Sequence, residues 1–225
     1  NTGYIRYILL NHILERQLQH HVSRMQIAML KLTIRIVDKC RYWKETYRPV
    51  SDEHYKVLEE GRTNIYAFYN ELSDALPEDA ILMVSVGTSR VVGSQTLRTK
   101  AGQRYINNSN TASMGFDLPA VVGISRAVPG KKIICITGEG SLMMNLQEFQ
   151  TLRQNRVPFT LFVMNNEGYH SVRQTQSGFF KTSLVGVGEE SGDLSFPDLK
   201  CLVPAFGFRY TSCGDPDGLA ETIRE

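Results

Sequence analysis

Three short apolar runs place the strongest limit on how this chain can fold. They are residues 80–86 (AILMVSV), 132–137 (KIICIT) and 159–164 (FTLFVM), and segments with helical patterning separate them. Strands that are apolar on both faces belong to parallel sheets covered by helices on both sides. The sequence therefore predicts an α/β fold, with a parallel sheet and helices on both of its faces.

A long segment without proline or glycine precedes this pattern. Residues 4–47 repeat apolar side chains at helical spacing, which predicts one or two helices. A charged, proline-broken connection follows. We therefore expect a helical appendage plus linker over residues 1–60, and the α/β domain over residues 61–225.

Start and stop signals predict the remaining elements. Helices are expected at residues 64–77, 117–128, 145–155 and 195–207. Residues 208–213 (FRYTSC) are predicted to form a further strand. Asp215-Pro216 is predicted to cap and open a last helix.

Bulk composition excludes several classes of protein. The 225 residues are 42% hydrophobic, enough to bury the core of one large domain. A formal net charge of +2 is too small to indicate a nucleic-acid partner or an anionic membrane surface. No apolar run approaches the roughly 20 residues of a membrane-spanning helix. The four cysteines form no C-x-x-C pair, so we expect reduced thiols in a cytoplasmic protein.

Glycine-rich or polar turns follow all three apolar runs. They are Gly87-Thr88-Ser89, Gly138-Glu139-Gly140-Ser141 and Asn165-Asn166. The carboxyl ends of parallel strands meet at the ligand-binding edge of a sheet. Glycines after a strand turn backbone N–H groups towards an anion, and the next helix adds its positive end. These turns therefore predict a phosphate-binding site at that edge.

The acid between the two glycines, Glu139, would repel an uncomplexed phosphate. A carboxylate and a diphosphate can share one Mg2+, with neutral oxygens such as those of Asn165 and Asn166 completing an octahedron. A dinucleotide fits less well, because Met143 stands where G-x-G-x-x-G needs its third glycine. No acid lies ~20 residues further on, and the Walker pattern is absent.

The glycine-acid-glycine turn has a known counterpart. Gly138-Glu139-Gly140, followed after 24 residues by Asn165-Asn166, resembles the thiamine diphosphate signature, Gly-Asp-Gly and then Asn-Asn. The surrounding sequence, from ILMVSVGTSR through NNSNTASMGFDLPAVVGISRAVPGKKIICITGEGSLMMNLQEFQTL to FVMNNEGYHSVRQTQ, resembles the acetolactate synthase-like branch. The resemblance covers about residues 40–225. It implies a diphosphate-binding domain that follows the tail of a middle domain and stops before the family's final strand.

The resemblance implies roles for individual positions. Mg2+ would be bound by Glu139, in the place of the family's Asp, by the Asn166 side chain and by the Gly168 carbonyl. Ala112 would contact the aminopyrimidine ring through its backbone, and Met114 would be the apolar wedge that bends the cofactor. The implied cofactor contacts are Gly87, Thr88, Ser89, Ala112, Met114, Gly138, Gly140, Ser141, Asn166, Gly168 and Tyr169.

The sequence departs from the family pattern at two places. Glu139 is one methylene longer than Asp, and Mg2+ tolerates little error in distance, which predicts a shifted or weakened metal. Thr175 and Ser171 stand where acetolactate synthases carry Trp and Met beside the substrate, which predicts a different pocket. His170 and Arg173 are candidates to face the carboxylate or carbonyl of a 2-oxo acid, with surface roles as the alternative.

The resemblance also implies partners. In this chemistry the cofactor stabilises a carbanion after a 2-oxo acid loses CO2, and a proton or a second carbonyl captures it. The activating glutamate belongs to a pyrimidine-binding domain of the same or another subunit. We therefore expect a decarboxylase or carboligase within a homodimer or homotetramer, inactive as this chain alone. A degenerate, non-catalytic or regulatory relative is one alternative, and a nicotinamide-dependent oxidoreductase is another.

Overall fold

The computed structural model describes residues 2–56 and 62–224, with side chains from residue 21 onwards in those ranges. The chain divides into two compact units, Asn1–Arg48 and Pro49–Glu225. The predicted domain boundary, between residues 60 and 61, lies outside the described residues.

The first unit is a single helix, α1 (Thr2–Thr46), so the predicted helical appendage is confirmed. Its described side chains, from His21 onwards, are exposed. No helix within the described residues is both long and apolar enough to cross a membrane.

The second unit alternates strands and helices. The strands are β1 (Ile81–Val84), β2 (Arg104–Ile106), β3 (Ile133–Gly138) and β4 (Phe159–Met164). The helices are α2 (Ile65–Ala75), α3 (Thr88–Thr96), α4 (Asp117–Ala127), α5 (Glu139–Leu142), α6 (Glu148–Gln154), α7 (His170–Thr175), α8 (Leu199–Ala205) and α9 (Leu219–Arg224). Short 3-10 turns lie at Asp52–Tyr55, Met143–Asn145 and Glu189–Ser191, and a π-helical turn (Gln176–Phe180) follows α7.

The four strands form one parallel sheet in the order β2-β1-β3-β4. The register pairs Val84 with Ile136, and Gly138 with Met164. The carboxyl ends of β1, β3 and β4 therefore lie side by side. This arrangement confirms the predicted parallel sheet.

The core lies on both faces of the sheet. Successive side chains of β1 point to opposite faces of the sheet. Leu82 and Val84 therefore pack in one hydrophobic cluster, and Ile81 and Met83 pack in the other. Side chains of α2 complete the first cluster, and side chains of α4 and α6 complete the second. The predicted cover of helices on both faces is thereby confirmed.

Local signals account for the ends of two predicted helices. The Asn64 side chain accepts from the Tyr66 N–H (2.9 Å) at the start of α2. The Asp198 side chain does the same for Lys200 (2.8 Å), so α8 begins at Leu199, later than residue 195. Gly207, with a φ of 78°, follows the end of α8 as predicted.

One predicted element near the C-terminus was wrong, and another begins later than predicted. Residues 208–213 form no strand. Phe208 packs into the cluster on one face of the sheet and Cys213 into the cluster on the other, so the segment passes between faces without joining the ladder. The last helix begins at Leu219, because the Asp215 carboxylate accepts from the Asp217 N–H (2.9 Å) and holds a turn before it.

Candidate functional site

Glu139 opens α5 directly after β3, and its side chain is buried (2% exposed). Its Oε1 accepts from the N–H groups of Asn166 (3.1 Å) and Gly168 (2.6 Å), which follow the neighbouring strand β4. Its Oε2 is buried and has no hydrogen-bond partner among the residues that the structure describes. A buried carboxylate oxygen without a partner is costly, so this position favours a cation or a proton.

The protonation of Glu139 reflects the same surroundings. Burial raises the pKa of this carboxyl above its ordinary value. The hydrogen bonds from the Gly168 and Asn166 N–H groups and the charge of Arg173 act in the opposite direction. The desolvation of the carboxylate is the largest of these effects.

The side-chain amide of Asn166 brings a third polar group to this point. One of its terminal atoms lies 3.2 Å from Glu139 Oε1 and 2.6 Å from the Gly168 carbonyl oxygen. If this terminal atom is the amide nitrogen, it donates to both oxygens. If it is the amide oxygen, three oxygens lie close together and need a cation between them. Oxygens around an octahedral Mg2+, bound at ~2.0–2.1 Å, are about 3 Å apart. The two distances are those of an amide that donates to both oxygens, and they are also close to the oxygen spacing around such an ion.

Few acidic side chains are placed to bind a metal at this edge of the sheet. Among the described residues, no group of three or more His, Cys, Asp and Glu side chains is placed to hold a metal ion. A cation here would therefore use one carboxylate and neutral oxygens, a ligand set that suits Mg2+ and Ca2+.

The backbone of residues 166–168 is held in an unusual shape. Glu167 has a φ of 59°, which non-glycine residues rarely adopt outside strained or functional sites. Gly168 has a φ of 152° and forms an isolated bridge with Gly188. A Cβ on Gly168 would overlap the Val187 carbonyl oxygen. Only glycine therefore fits where the carbonyl of residue 168 is presented.

Arg173 on α7 holds this segment from the other side. Its guanidinium donates to the carbonyls of Asn166 (3.4 Å) and Glu167 (3.1 Å) and forms an ion pair with Glu190 (2.8 Å). Arg62 forms an ion pair with Glu167 (2.9 Å), and these five residues line an open cleft of about 330 Å³. Arg173 thus lies at the site, and its predicted contact with substrate stays a prediction.

His170, the other candidate for substrate contact, lies at the start of α7 and is half-buried. Its backbone N–H donates to the Gly168 carbonyl oxygen (3.2 Å). Burial, and then the charge of Arg173, lower the pKa of His170 below 6.5. The imidazole is therefore neutral at pH 7 and suited to hydrogen bonding with a carbonyl group.

The two glycine turns meet at the same edge. Gly87, with a φ of 68°, is the N-cap of α3, and a Cβ on it would lie 3.7 Å from Ser171 Oγ. Thr88 and Ser89 form the first turn of α3, and the Ser89 carbonyl accepts from the buried Tyr69 hydroxyl (2.7 Å). The free N–H groups of this helix end can bind an anion.

Gly140 and Tyr169 pack closely at this edge. A Cβ on Gly140 would overlap Cε1 of Tyr169 and lie 2.7 Å from its Cδ1. Gly138 is the N-cap of α5 in extended conformation. Glycine at position 140 is therefore required by the tyrosine ring as much as by any ligand.

The turn that carries Ala112 and Met114 reaches the site from the segment before α4. Ala112 has a φ of 52°, a strained value for a residue with a side chain. Met114 is 44% exposed, and Phe116 (38%) and Met144 (46%) are exposed beside it. The predicted wedge residue therefore belongs to an apolar surface and not to the core.

A family model described as "Thiamine pyrophosphate enzyme, C-terminal TPP binding domain" matches residues 85–225, which include all of the turns described above. The chain belongs to this family. Acetolactate synthase isozyme 2 large subunit of Escherichia coli (strain K12) is 32% identical to this chain over 167 residues, 73% of the chain and 30% of the relative. Acetolactate synthase large subunit of Cyanidium caldarium is 32% identical over 181 residues, 80% of the chain and 30% of the relative.

These matches confirm the family that the sequence motifs predicted. They make the matched part of the chain the thiamine pyrophosphate-binding domain of an acetolactate synthase-like protein. The aligned part of the chain spans 30% of the length of these two relatives. These matches therefore identify the domain but not the activity of the whole protein.

Several residues of this thiamine pyrophosphate-binding domain were missed by the sequence reasoning. They are Ser85, Asp117 and Asn145, which bond to Ser141 or Gly115, and Glu190, which pairs with Arg173. Asp117 had one available signal, an acid in the first turn of a predicted helix. The others make contacts between segments far apart in sequence, and no local pattern marks them.

Proposed function

We propose that this chain binds thiamine diphosphate through Mg2+ as part of an acetolactate synthase-like enzyme that acts on a 2-oxo acid. The observation that carries the proposal is the convergence of Glu139, Asn166 and Gly168 oxygens at the carboxyl edge of the sheet. Their spacing supports Mg2+ as the ion held there.

The longer side chain of Glu139 is compatible with this role. Its Oε1 accepts from the N–H groups of Asn166 and Gly168 and lies 3.2 Å from the Asn166 side-chain amide, and the buried Oε2 offers a second oxygen to the ion. A metal displaces the proton that burial favours on this carboxyl, so binding should weaken as the pH falls.

The diphosphate itself would lie between Gly87 and Gly140. The N–H groups in the first turn of α3, at Thr88 and Ser89, support this position. The chemistry that thiamine diphosphate supplies when bound is stabilisation of a carbanion after a 2-oxo acid loses CO2. The residues of this chain bind and orient the cofactor, with the Ala112 backbone and Met114 as its proposed contacts to the rings.

Small residues face the proposed substrate side. Ser171 and Thr175 are both exposed on α7, one turn apart, and Thr175 Oγ1 donates to the Ser171 carbonyl (2.9 Å). We propose that the 2-oxo acid, or its acceptor, occupies the volume that Met and Trp fill in acetolactate synthases. His170, neutral at pH 7, would donate a hydrogen bond to its carbonyl oxygen.

A second domain completes the proposed site. Met114 and Phe116 flank Gly115, which packs against Met144, and all three side chains are exposed. Exposed apolar surface of this kind supports a covering partner. We propose that this partner is a pyrimidine-binding domain, in a homodimer or homotetramer, which brings the activating glutamate. A cytoplasmic location stays a prediction.

One observation favours a second candidate, a relative that keeps the fold without the chemistry. Glu139 replaces the family's Asp, and its pKa is raised by burial, so a proton competes with the metal. Such a protein would have a regulatory or binding role.

Calorimetric titration separates these candidates. The chain, combined with a pyrimidine-domain partner, is titrated with thiamine diphosphate plus Mg2+ and separately with NAD. We expect metal-dependent binding of thiamine diphosphate, unaffected by the control substitution Glu148→Asp on α6. Binding of NAD without thiamine diphosphate would contradict the proposal. Metal-independent or absent cofactor binding, restored by Glu139→Asp, would favour the degenerate relative.

A further inference from the structure

A buried group of polar side chains lies directly beneath the proposed cofactor site. Ser85, Asp117, Thr137 and Ser141 are each at most 6% exposed. Ser141 Oγ lies 2.9 Å from Ser85 Oγ and 3.2 Å from Asp117 Oδ1, and it accepts from the Gly115 N–H (2.9 Å). Thr137 Oγ1 bonds to the other carboxyl oxygen, Oδ2 of Asp117. We call these five residues the Asp117 network.

The chemistry of the groups sets the direction of every proton in the Asp117 network. A hydroxyl carries one proton and a carboxylate only accepts. The Ser141 proton therefore goes to Asp117, and the Ser85 proton goes to Ser141. Ser141 Oγ then accepts two hydrogen bonds and donates one. Its hydroxyl therefore has no proton left to donate to a diphosphate.

Gly115 connects this network to the turn above it. Its N–H is held by Ser141, and its carbonyl accepts from Asn145 Nδ2 (2.8 Å). It has a φ of 79°, and a Cβ on it would lie 2.6 Å from the Met144 Cβ. The backbone next to Met114 is therefore fixed on both sides by the segment that follows β3.

The same segment begins with Glu139, which shares the single turn of α5 with Ser141. We propose that Asp117 and Ser141 are positioning residues, which hold the Ala112–Met114 turn at a set distance from the metal-binding carboxylate. The expected effect on thiamine diphosphate affinity rests on the proposed function. The two ends of the bound cofactor would contact these two parts of the chain. Ser141 acts through its hydroxyl on the turn and not on the cofactor.

Hydrogen exchange on the full chain without ligands tests the positioning itself. In Ser141→Ala the Gly115 N–H loses its acceptor, and exchange of the peptide covering residues 112–116 should become about tenfold faster. Asp117→Asn keeps the size of the side chain but removes one acceptor, and should act on the same peptide. Ser73→Ala on α2, another buried serine, which bonds to the Tyr69 carbonyl (2.6 Å), is the control and should leave this peptide unchanged.

Ligand binding then tests the consequence separately. Ser141→Ala should lower the affinity for thiamine diphosphate about tenfold while Mn2+ binding, followed by its paramagnetic resonance, stays within twofold of wild type. Exchange at residues 112–116 within twofold of wild type in both Ser141→Ala and Asp117→Asn would overturn the inference. Equal losses of Mn2+ and cofactor affinity would also overturn it. Wild-type chain that binds neither ligand in the presence of its pyrimidine-domain partner would refute the proposed function, and the exchange experiment would still decide the positioning.

Discussion

The substitution Gly140→Ala tests how tightly the turn after β3 is packed against the segment after β4. The new Cβ would overlap Cε1 of Tyr169 and lie 2.7 Å from its Cδ1. The ring has little freedom to withdraw, because it packs edge-on against Phe196 with centroids 5.6 Å apart. The Tyr169 backbone is also fixed, since its N–H donates to the Val187 carbonyl (2.7 Å).

Two opposing effects set the magnitude. Overpacking of this kind typically costs about 1–3 kcal/mol. Alanine is the better helix former, which returns up to about 1 kcal/mol in α5. We therefore expect Gly140→Ala to lower the free energy of unfolding by about 0–3 kcal/mol. The coupling energy between positions 140 and 169 should be about 1–3 kcal/mol, because Tyr169→Ala removes the clash and leaves the helix effect.

Urea unfolding of wild type, Gly140→Ala, Tyr169→Ala and the double variant measures this coupling. In the Tyr169→Ala background, Gly140→Ala should be neutral or stabilising. Gly123→Ala is a matched control on α4, because a Cβ there meets no atom of the described part of the chain within 4 Å. It should stabilise the chain by about 0.5–1 kcal/mol. An equal cost of Gly140→Ala in both backgrounds would refute the tyrosine ring as the reason for glycine.

Three further predictions follow from the same site. Gly168→Ala should destabilise the chain by more than about 3 kcal/mol in urea unfolding, because its Cβ would overlap the Val187 carbonyl at a φ of 152°. The pKa of Glu139 is raised in the folded state. Without metal, the contribution of Glu139 to the free energy of unfolding should therefore fall as the pH rises from 4.5 through the folded pKa. Glu139→Gln should remove this pH dependence. The NMR titration midpoint of His170 should lie below 6.5 and should rise in Arg173→Met, because burial and then the arginine charge lower it. A midpoint at or above 6.5 would contradict the placement of His170.

The sheet and its binding edge were predictable because buried parallel strands leave a strong local signal. The run at residues 159–164 became β4 with the same bounds. The turn at Gly87 follows β1 as expected, and the turn at Gly138 begins at the last residue of β3. Strand β2 was not predicted, since Arg104–Ile106 has three residues at the edge of the sheet and no fully buried one. Short, half-exposed strands carry too few apolar positions to stand out from loops.

Helix α3 shows a second reason for failure. Gly93 lies within it and weakens the helical signal, yet a Cβ on Gly93 would lie 2.9 Å from the Tyr69 ring of α2. Gly93 therefore weakens the sequence signal for α3 and also allows α3 to pack closely against α2. The Asp117 network was missed for a related reason, because Ser85 and Ser141 are 56 positions apart and meet only in the folded chain.

The proposed role of Glu139, with Asn166 and Gly168, is to hold the Mg2+ that binds thiamine diphosphate. Its most direct test is calorimetric titration of thiamine diphosphate into the chain, with its pyrimidine-domain partner, with and without Mg2+. The comparison uses wild type, Glu139→Gln and the control Glu148→Gln. We expect binding that requires Mg2+ in wild type and in the control and that is lost in Glu139→Gln. Equal affinity with and without the metal, or undiminished binding by Glu139→Gln, would contradict it.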